Sequence, residues 1–302
     1  MKTNAITLFE VSPRDGLQNE PKFISTKDKL YFIKLLSETG VKHIEATSFV
    51  SPKKIPQLKD SFAIMQALPC NNDIEYSVLI PNIKGLEKAL LANVKAISLF
   101  TAASESFNKH NINCSIQESI KRFAEVILRA RQENLRIRAY VSCALGCPYE
   151  GAIKPSLVAK VCESLLKLGV NEISLADTIG VGTPKQTKEL IKTIQPLCSK
   201  INLAMHFHDT YGQALANILC SLEAGISHFD TSVAGLGGCP YAPGASGNVA
   251  TEDVLYFMHG LGLNTNIDIY KMIQAGQWIC DKMHRKNLSK VANAMQAKFH
   301  KD

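Results

Sequence analysis

The chain alternates throughout between a short β-branched or apolar run and a longer stretch of helical periodicity, and this alternation restricts the fold more than any other feature. Runs of strand character fall at 5–11, 43–48, 74–80, 95–101, 136–142, 171–177, 203–208 and 227–233. Helix-like segments fall between them, near 27–39, 58–67, 84–92, 115–133, 155–168, 184–199 and 211–224. Several open on a cap residue or an early proline, as at Ser25, Pro155 and Thr183-Pro184, and several close on glycine, as at Gly40, Gly169 and Gly225. Eight strands alternating with helices predict an α/β chain closed into a parallel (β/α)8 TIM barrel. A doubly wound open sheet usually has fewer strands and a glycine-rich dinucleotide turn after the first, which is not seen here. The barrel is expected over 1–262 of a single domain 1–302, with 263–302 as a basic helical extension packed on it.

Composition narrows the function. The 302 residues are 46% hydrophobic and 20% charged, which excludes disordered, collagenous and coiled-coil chains. Lysine and arginine total 34 against 27 acidic residues, without a basic block or interleaved aromatics, so nucleic acid is a poor partner; a polyanionic small molecule suits the excess better, and a plain solvated surface suits it equally. Nine cysteines without CxxC or paired metal spacing point to free thiols in a reducing compartment. The start, MKTNAITLFEV, carries no Arg-rich transit segment, and the longest uncharged stretch, 231–251, is broken by five glycines and two prolines. The expectation is a cytoplasmic protein with no membrane span.

A TIM barrel places its chemistry at the C-terminal ends of its strands. After the first strand comes VSPRDGLQNE, which puts the cation of Arg14 beside the oxygen ligand of Asp15. Glu45 sits near the end of the second strand, with His43 and Thr47 on its face by alternation. In AMHFHD the imidazoles of His206 and His208 lie two apart and share a face, while Met205 and Phe207 face the helices. Two histidines with carboxylate and amide oxygens suit an octahedral Mg²⁺, Mn²⁺ or Co²⁺ better than a thiol-seeking zinc. Asp177 ends the sixth strand, either as a functional carboxylate or as a helix cap. After the eighth strand a glycine-rich loop carries Cys239 and ends at Asn248, whose side-chain oxygen could join the metal.

The strings VSPRDGLQNE, IEATSFVSPK, YVSCALGCPYEG, ISLADTIGVGTP, HFHDTYGQALAN and SVAGLGGCPYAPGASGNVATED together resemble the 3-hydroxy-3-methylglutaryl-CoA (HMG-CoA) lyase family, from the first strand to about residue 290. The resemblance implies metal-dependent retro-Claisen cleavage of an acyl-CoA substrate, and a homodimer. It implies Asp15, His206, His208 and Asn248 as metal ligands, and Arg14, Glu45, Asp177, His206 and Cys239 as catalytic residues. Arg14 and Asp177 are also expected to contact substrate, with Arg285 and Lys286 meeting the CoA phosphates. The implied context is leucine degradation and ketone-body metabolism. Base and acid stay open among Asp177, His206 and Cys239. Isopropylmalate- or homocitrate-type synthases fit less well, because only about forty residues follow the barrel. A lyase for longer branched substrates differs by only ~1–3 kcal/mol of pocket fit, so it stays open. A non-catalytic acyl-CoA-binding barrel is disfavoured because no site residue is missing.

Overall fold

The computed structural model describes residues 5–69, 73–238 and 247–299. Eight parallel strands close on themselves in sequence order. They are β1 (Thr7–Glu10), β2 (His43–Ser48), β3 (Glu75–Leu79), β4 (Ala96–Ala102), β5 (Arg136–Ser142), β6 (Glu172–Asp177), β7 (Asn202–Phe207) and β8 (His228–Thr231). The barrel predicted by the alternation is therefore the fold. Around it run α1 (Thr26–Ser37), α2 (Ser61–Ala67), α3 (Ile83–Leu91), α4 (Glu105–Ile112), α5 (Ile116–Gln132), α6 (Pro155–Leu168), α7 (Pro184–Ile194), α8 (Ala214–Glu223) and α9 (Thr251–Gly260). Next come α10 (Ile269–Met283), which packs against α1 and the 233–235 turn, and α11 (Lys290–Phe299), which packs against α9. No described helix is long and apolar enough to cross a membrane.

Local chemistry sets these boundaries. Ser25, Asn82, Ser104, Ser115 and Thr183 each accept an amide of the helix they start, and Ser115–Glu118 and Thr183–Gln186 form full capping boxes. Gly169 ends α6 in the left-handed region at φ 89°, where a Cβ would be strained. Two differences from the sequence reading have physical causes. α4 went unpredicted because ESFNKHNI has no apolar stripe. Thr47 does not share the face of Glu45, because the β2–β3 register slips between them and Thr47 turns outward to bond Ser61 on α2.

The apolar core lies between strands and helices, where Met205 and Phe207 are buried as alternation predicts. The barrel interior is instead filled by paired charges. Glu172 binds Arg138 and Arg136, and Arg138 also reaches Asp230 at 2.5 Å. Arg136 pairs with Glu75, which takes His43 at 3.1 Å, and His228 meets Glu172 at 3.0 Å. Phe9 stacks on His43 at 4.3 Å and under the Arg138 guanidinium at 4.1 Å. Such a network is stable only when fully satisfied, and it holds the strands that carry the mouth in one arrangement.

The first turn of α9 ties the last barrel loop to its surroundings. The Thr251 hydroxyl donates to Glu10, Glu252 accepts the Ala234 amide, and Asp253 accepts from Ser289 and Val291. Burial pushes the Glu252 carboxyl up to about 8, against the Ala234 bond and with added repulsion from Glu10. The folded chain therefore holds a proton there that the unfolded chain releases above about 4.5. That contribution to stability is complete below 4.5 and lost as pH rises through 8. Melting temperature should fall on the order of 5 °C more between pH 6 and pH 9 in the unaltered chain than in Glu252→Gln. Parallel profiles would remove Glu252 from the explanation.

Candidate active site

The site begins where β1 ends. Residues 12–16 form one turn of π-helix, with the amides of Arg14, Asp15 and Gly16 all donating to the Val11 carbonyl. This wide turn brings the side chains of two adjacent residues, Arg14 and Asp15, into one cavity wall. Gly16 makes room for it, since a Cβ there would stand 2.8 Å from the Leu236 Cβ. The first and last loops thus touch through a glycine.

Arg14 is 6% exposed. Its Nε donates to Glu45, and its Nη1 donates to Asp15 at 2.6 Å. Burial opposes its charge, but Glu45 and Asp15 outweigh burial and hold the guanidinium firmly cationic. Asp15 also accepts from Gln18 at 3.2 Å and from the Asn248 amide at 2.8 Å. Burial alone would raise its carboxyl; Arg14, then His206 and His208, pull it down to about 2.

β7 and the residue after it supply the imidazoles, with ring centroids 5.3 Å apart. His206 Nδ1 lies 3.1 Å from Asp230 on β8. His208 leaves the strand and bridges to Asn248, which places the end of the glycine-rich loop beside it. Burial, and then the neighbouring His206, push the His208 imidazole down to about 4, so it is neutral with a lone pair to give.

Asp15, His206 and His208 each present a ligand atom within 4.8 Å of the others, the one such group of three among the described residues. Two buried atoms beside this cluster have no hydrogen-bond partner, His208 Nδ1 and Asn248 Oδ1. The Asn248 NH₂ donates to Asp15 and to the Leu236 carbonyl, which leaves its oxygen as the unused donor atom. A carboxylate, two imidazoles and a free amide oxygen fit a hard divalent cation. Unpaired polar atoms at such depth cost about 1–3 kcal/mol each, which a ligand there would relieve.

A cavity of about 660 Å³ opens over this cluster. Its wall holds Arg14, Asp15, His206 and His208 together with Tyr140, and farther out Lys54, His110 and Arg122. These last three belong to segments without a recognisable motif, so no local sequence signal marks them.

Three expected substrate contacts are placed differently. The carboxylate of Asp177 turns away from the cavity and accepts the amides of Val181 and Gly182 at 3.1 and 2.8 Å, while its neighbours Ala176 and Thr178 line the wall. Strand alternation forces this, since two adjacent residues of β6 cannot face the same way. Burial nevertheless raises its carboxyl to about 6, against the pull of those amides. Arg285 pairs with Glu20, and Lys286 is exposed; neither is among the described residues lining the cavity. Cys239 lies outside the described residues, as do its neighbours through 246.

A family model described as HMGL-like matches residues 5–279. Human mitochondrial hydroxymethylglutaryl-CoA lyase is 51% identical, with 96% of this chain and 89% of that protein covered. The zebrafish (Danio rerio) protein named 3-hydroxy-3-methylglutaryl-CoA lyase, cytoplasmic, is also 51% identical, over 96% of this chain and 86% of its own length. Among solved structures, hydroxymethylglutaryl-CoA lyase from Pseudomonas aeruginosa superposes with a TM-score of 0.94 at 49% identity, covering 97% of this chain and 98% of that one. An HMG-CoA lyase from Acinetobacter baumannii, solved with coenzyme A and 3-methylmalate, gives 0.92 at 38% identity, covering 97% of each chain. Pattern, barrel and site converge with these matches, and the chain belongs to the HMGL-like family, among its HMG-CoA lyases.

Proposed function

We propose that the chain cleaves (S)-3-hydroxy-3-methylglutaryl-CoA to acetoacetate and acetyl-CoA, using a divalent cation, Mg²⁺ or Mn²⁺ with Co²⁺ as an alternative. The observation that carries this reading is that Arg14 and the Asp15–His206–His208 group share one cavity wall. Asp15, His206, His208 and Asn248 would hold the cation. When bound, it supplies Lewis acidity to the substrate's tertiary hydroxyl and orients that end of the molecule.

The chain's own residues do the rest. Removal of the hydroxyl proton lets its electron pair form the ketone of acetoacetate as the C2–C3 bond breaks. The electrons of that bond pass to the thioester as an enolate. Arg14, fixed by Glu45 and Asp15 before any substrate arrives, stabilises the oxyanion without reorganising. Protonation of the enolate carbon completes acetyl-CoA. We assign proton handling to the set Asp177, His206 and Cys239, of which His206 lines the cavity among the described residues. Lys54 and Arg122 bring positive charge to the outer wall, suited to an acyl-CoA. The seven described cysteines are all buried and none forms a disulfide, which suits a reducing compartment such as the cytoplasm.

The reading is tested by incubating the purified protein with HMG-CoA and Mn²⁺ or Mg²⁺ and assaying acetoacetate, with and without chelator. Acetoacetate that depends on the metal supports it. No acetoacetate removes the proposed substrate, and full activity after exhaustive chelation removes the cation.

A further inference from the structure

The two imidazoles of the metal cluster are not held alike. His208 Nδ1 has no partner, whereas His206 Nδ1 lies 3.1 Å from Asp230 Oδ2. Asp230 is buried at the centre of the barrel, 1% exposed, and lies outside the cavity wall. Its Oδ2 also accepts the Ser174 hydroxyl at 2.9 Å, and its Oδ1 accepts Arg138 Nη2 at 2.5 Å. Arg138 is itself fixed by Glu172, by the Tyr140 hydroxyl at 2.9 Å and by the ring of Phe9.

We propose that Asp230 is a positioning residue for the metal site, locking His206 in the tautomer with hydrogen on Nδ1 so that the Nε2 lone pair is presented to the cation. This role rests on the proposed cation at Asp15, His206 and His208 and on which atoms of the contact can donate. Both Asp230 oxygens are held by donors, Oδ1 by the Arg138 guanidinium and Oδ2 by the Ser174 hydroxyl. A carboxylate paired in this way with a guanidinium accepts, so the hydrogen in the contact belongs to His206 Nδ1. A carboxylate behind a ligating imidazole both orients the ring and raises its basicity. The barrel's interior charges thereby acquire a functional end. The chain from Glu172 through Arg138 and Asp230 terminates on His206.

The amide variant distinguishes this role from packing. In Asp230→Asn, Arg138 can only donate, so it claims the amide oxygen. The NH₂ then falls where Oδ2 stood, facing His206 Nδ1. The imidazole shifts its hydrogen to Nε2 and loses the lone pair at the metal side. Mn²⁺ affinity, measured by titration calorimetry on the full chain, should fall roughly 10–100-fold, with the kcat of HMG-CoA cleavage at saturating Mn²⁺ lowered more than KM is raised. Histidine ¹⁵N spectra of the unaltered chain, with the His206 signal identified by its loss in His206→Gln, should show hydrogen on Nδ1. This second readout holds even where Asp230→Asn does not fold. Hydrogen on His206 Nε2 in the unaltered chain, or undiminished Mn²⁺ affinity in Asp230→Asn, overturns the proposal. An unaltered chain with no Mn²⁺ affinity overturns the metal reading itself and this proposal with it, an outcome distinct from the other two.

Discussion

Arg14→Gln is expected to lower kcat by about a thousandfold or more, about 4 kcal/mol of lost transition-state stabilisation, while KM changes only a few-fold. The size follows from how the side chain is held. Arg14 donates from Nε to Glu45 and from Nη1 to Asp15, and its guanidinium lies 5.5 Å from the Tyr140 ring centre, so its charge is fixed before substrate binds. Glutamine is shorter and neutral, and cannot hold both carboxylates while offering a cation to the enolate oxygen. The charge it would stabilise arises only as the C–C bond breaks, so the loss belongs in kcat. Steady-state kinetics on HMG-CoA decide the matter. A variant impaired only in KM would make Arg14 a binding residue.

His208→Ala is the second large effect. The substitution removes a buried neutral imidazole from a group of three ligand atoms lying within 4.8 Å of one another, and leaves Asp15 and His206 with Asn248. Metal affinity should drop by roughly two powers of ten or more, beyond the range expected for orienting residues behind the ligands. Activity should fall with it and recover in part at high Mn²⁺. The fold should survive, because His208 lies past the last residue of β7 and the barrel network runs through His206 and Asp230 instead. Elemental analysis after gel filtration, beside a melting curve, separates the two effects. Unchanged metal content would strike His208 from the ligand set.

Much of this was legible in the sequence for definite physical reasons. Strand period two put His206 and His208 on one face, and the adjacent charges of VSPRDG marked Arg14 and Asp15. The same period assigned Asp177 to the side opposite Ala176, so its outward carboxylate could have been foreseen. Asp230 was readable too, since it alternates with His228 on the inward face of β8, but a single carboxylate in a short strand carries no motif. The cavity's outer wall was not readable. Lys54, His110 and Arg122 come from three separate segments that only barrel closure brings together. Arg285, expected from the resemblance to meet the CoA phosphates, instead spends its charge on Glu20.

The proposed cleavage depends most on one dication at the barrel mouth. Crystals grown with Mn²⁺, with data collected at the manganese edge, test it most directly. One anomalous peak bonded to Asp15, His206 and His208, with the Asn248 side-chain oxygen facing it, is the predicted result. A peak elsewhere, or none, with both imidazoles hydrogen-bonded away from Asp15, would contradict the account.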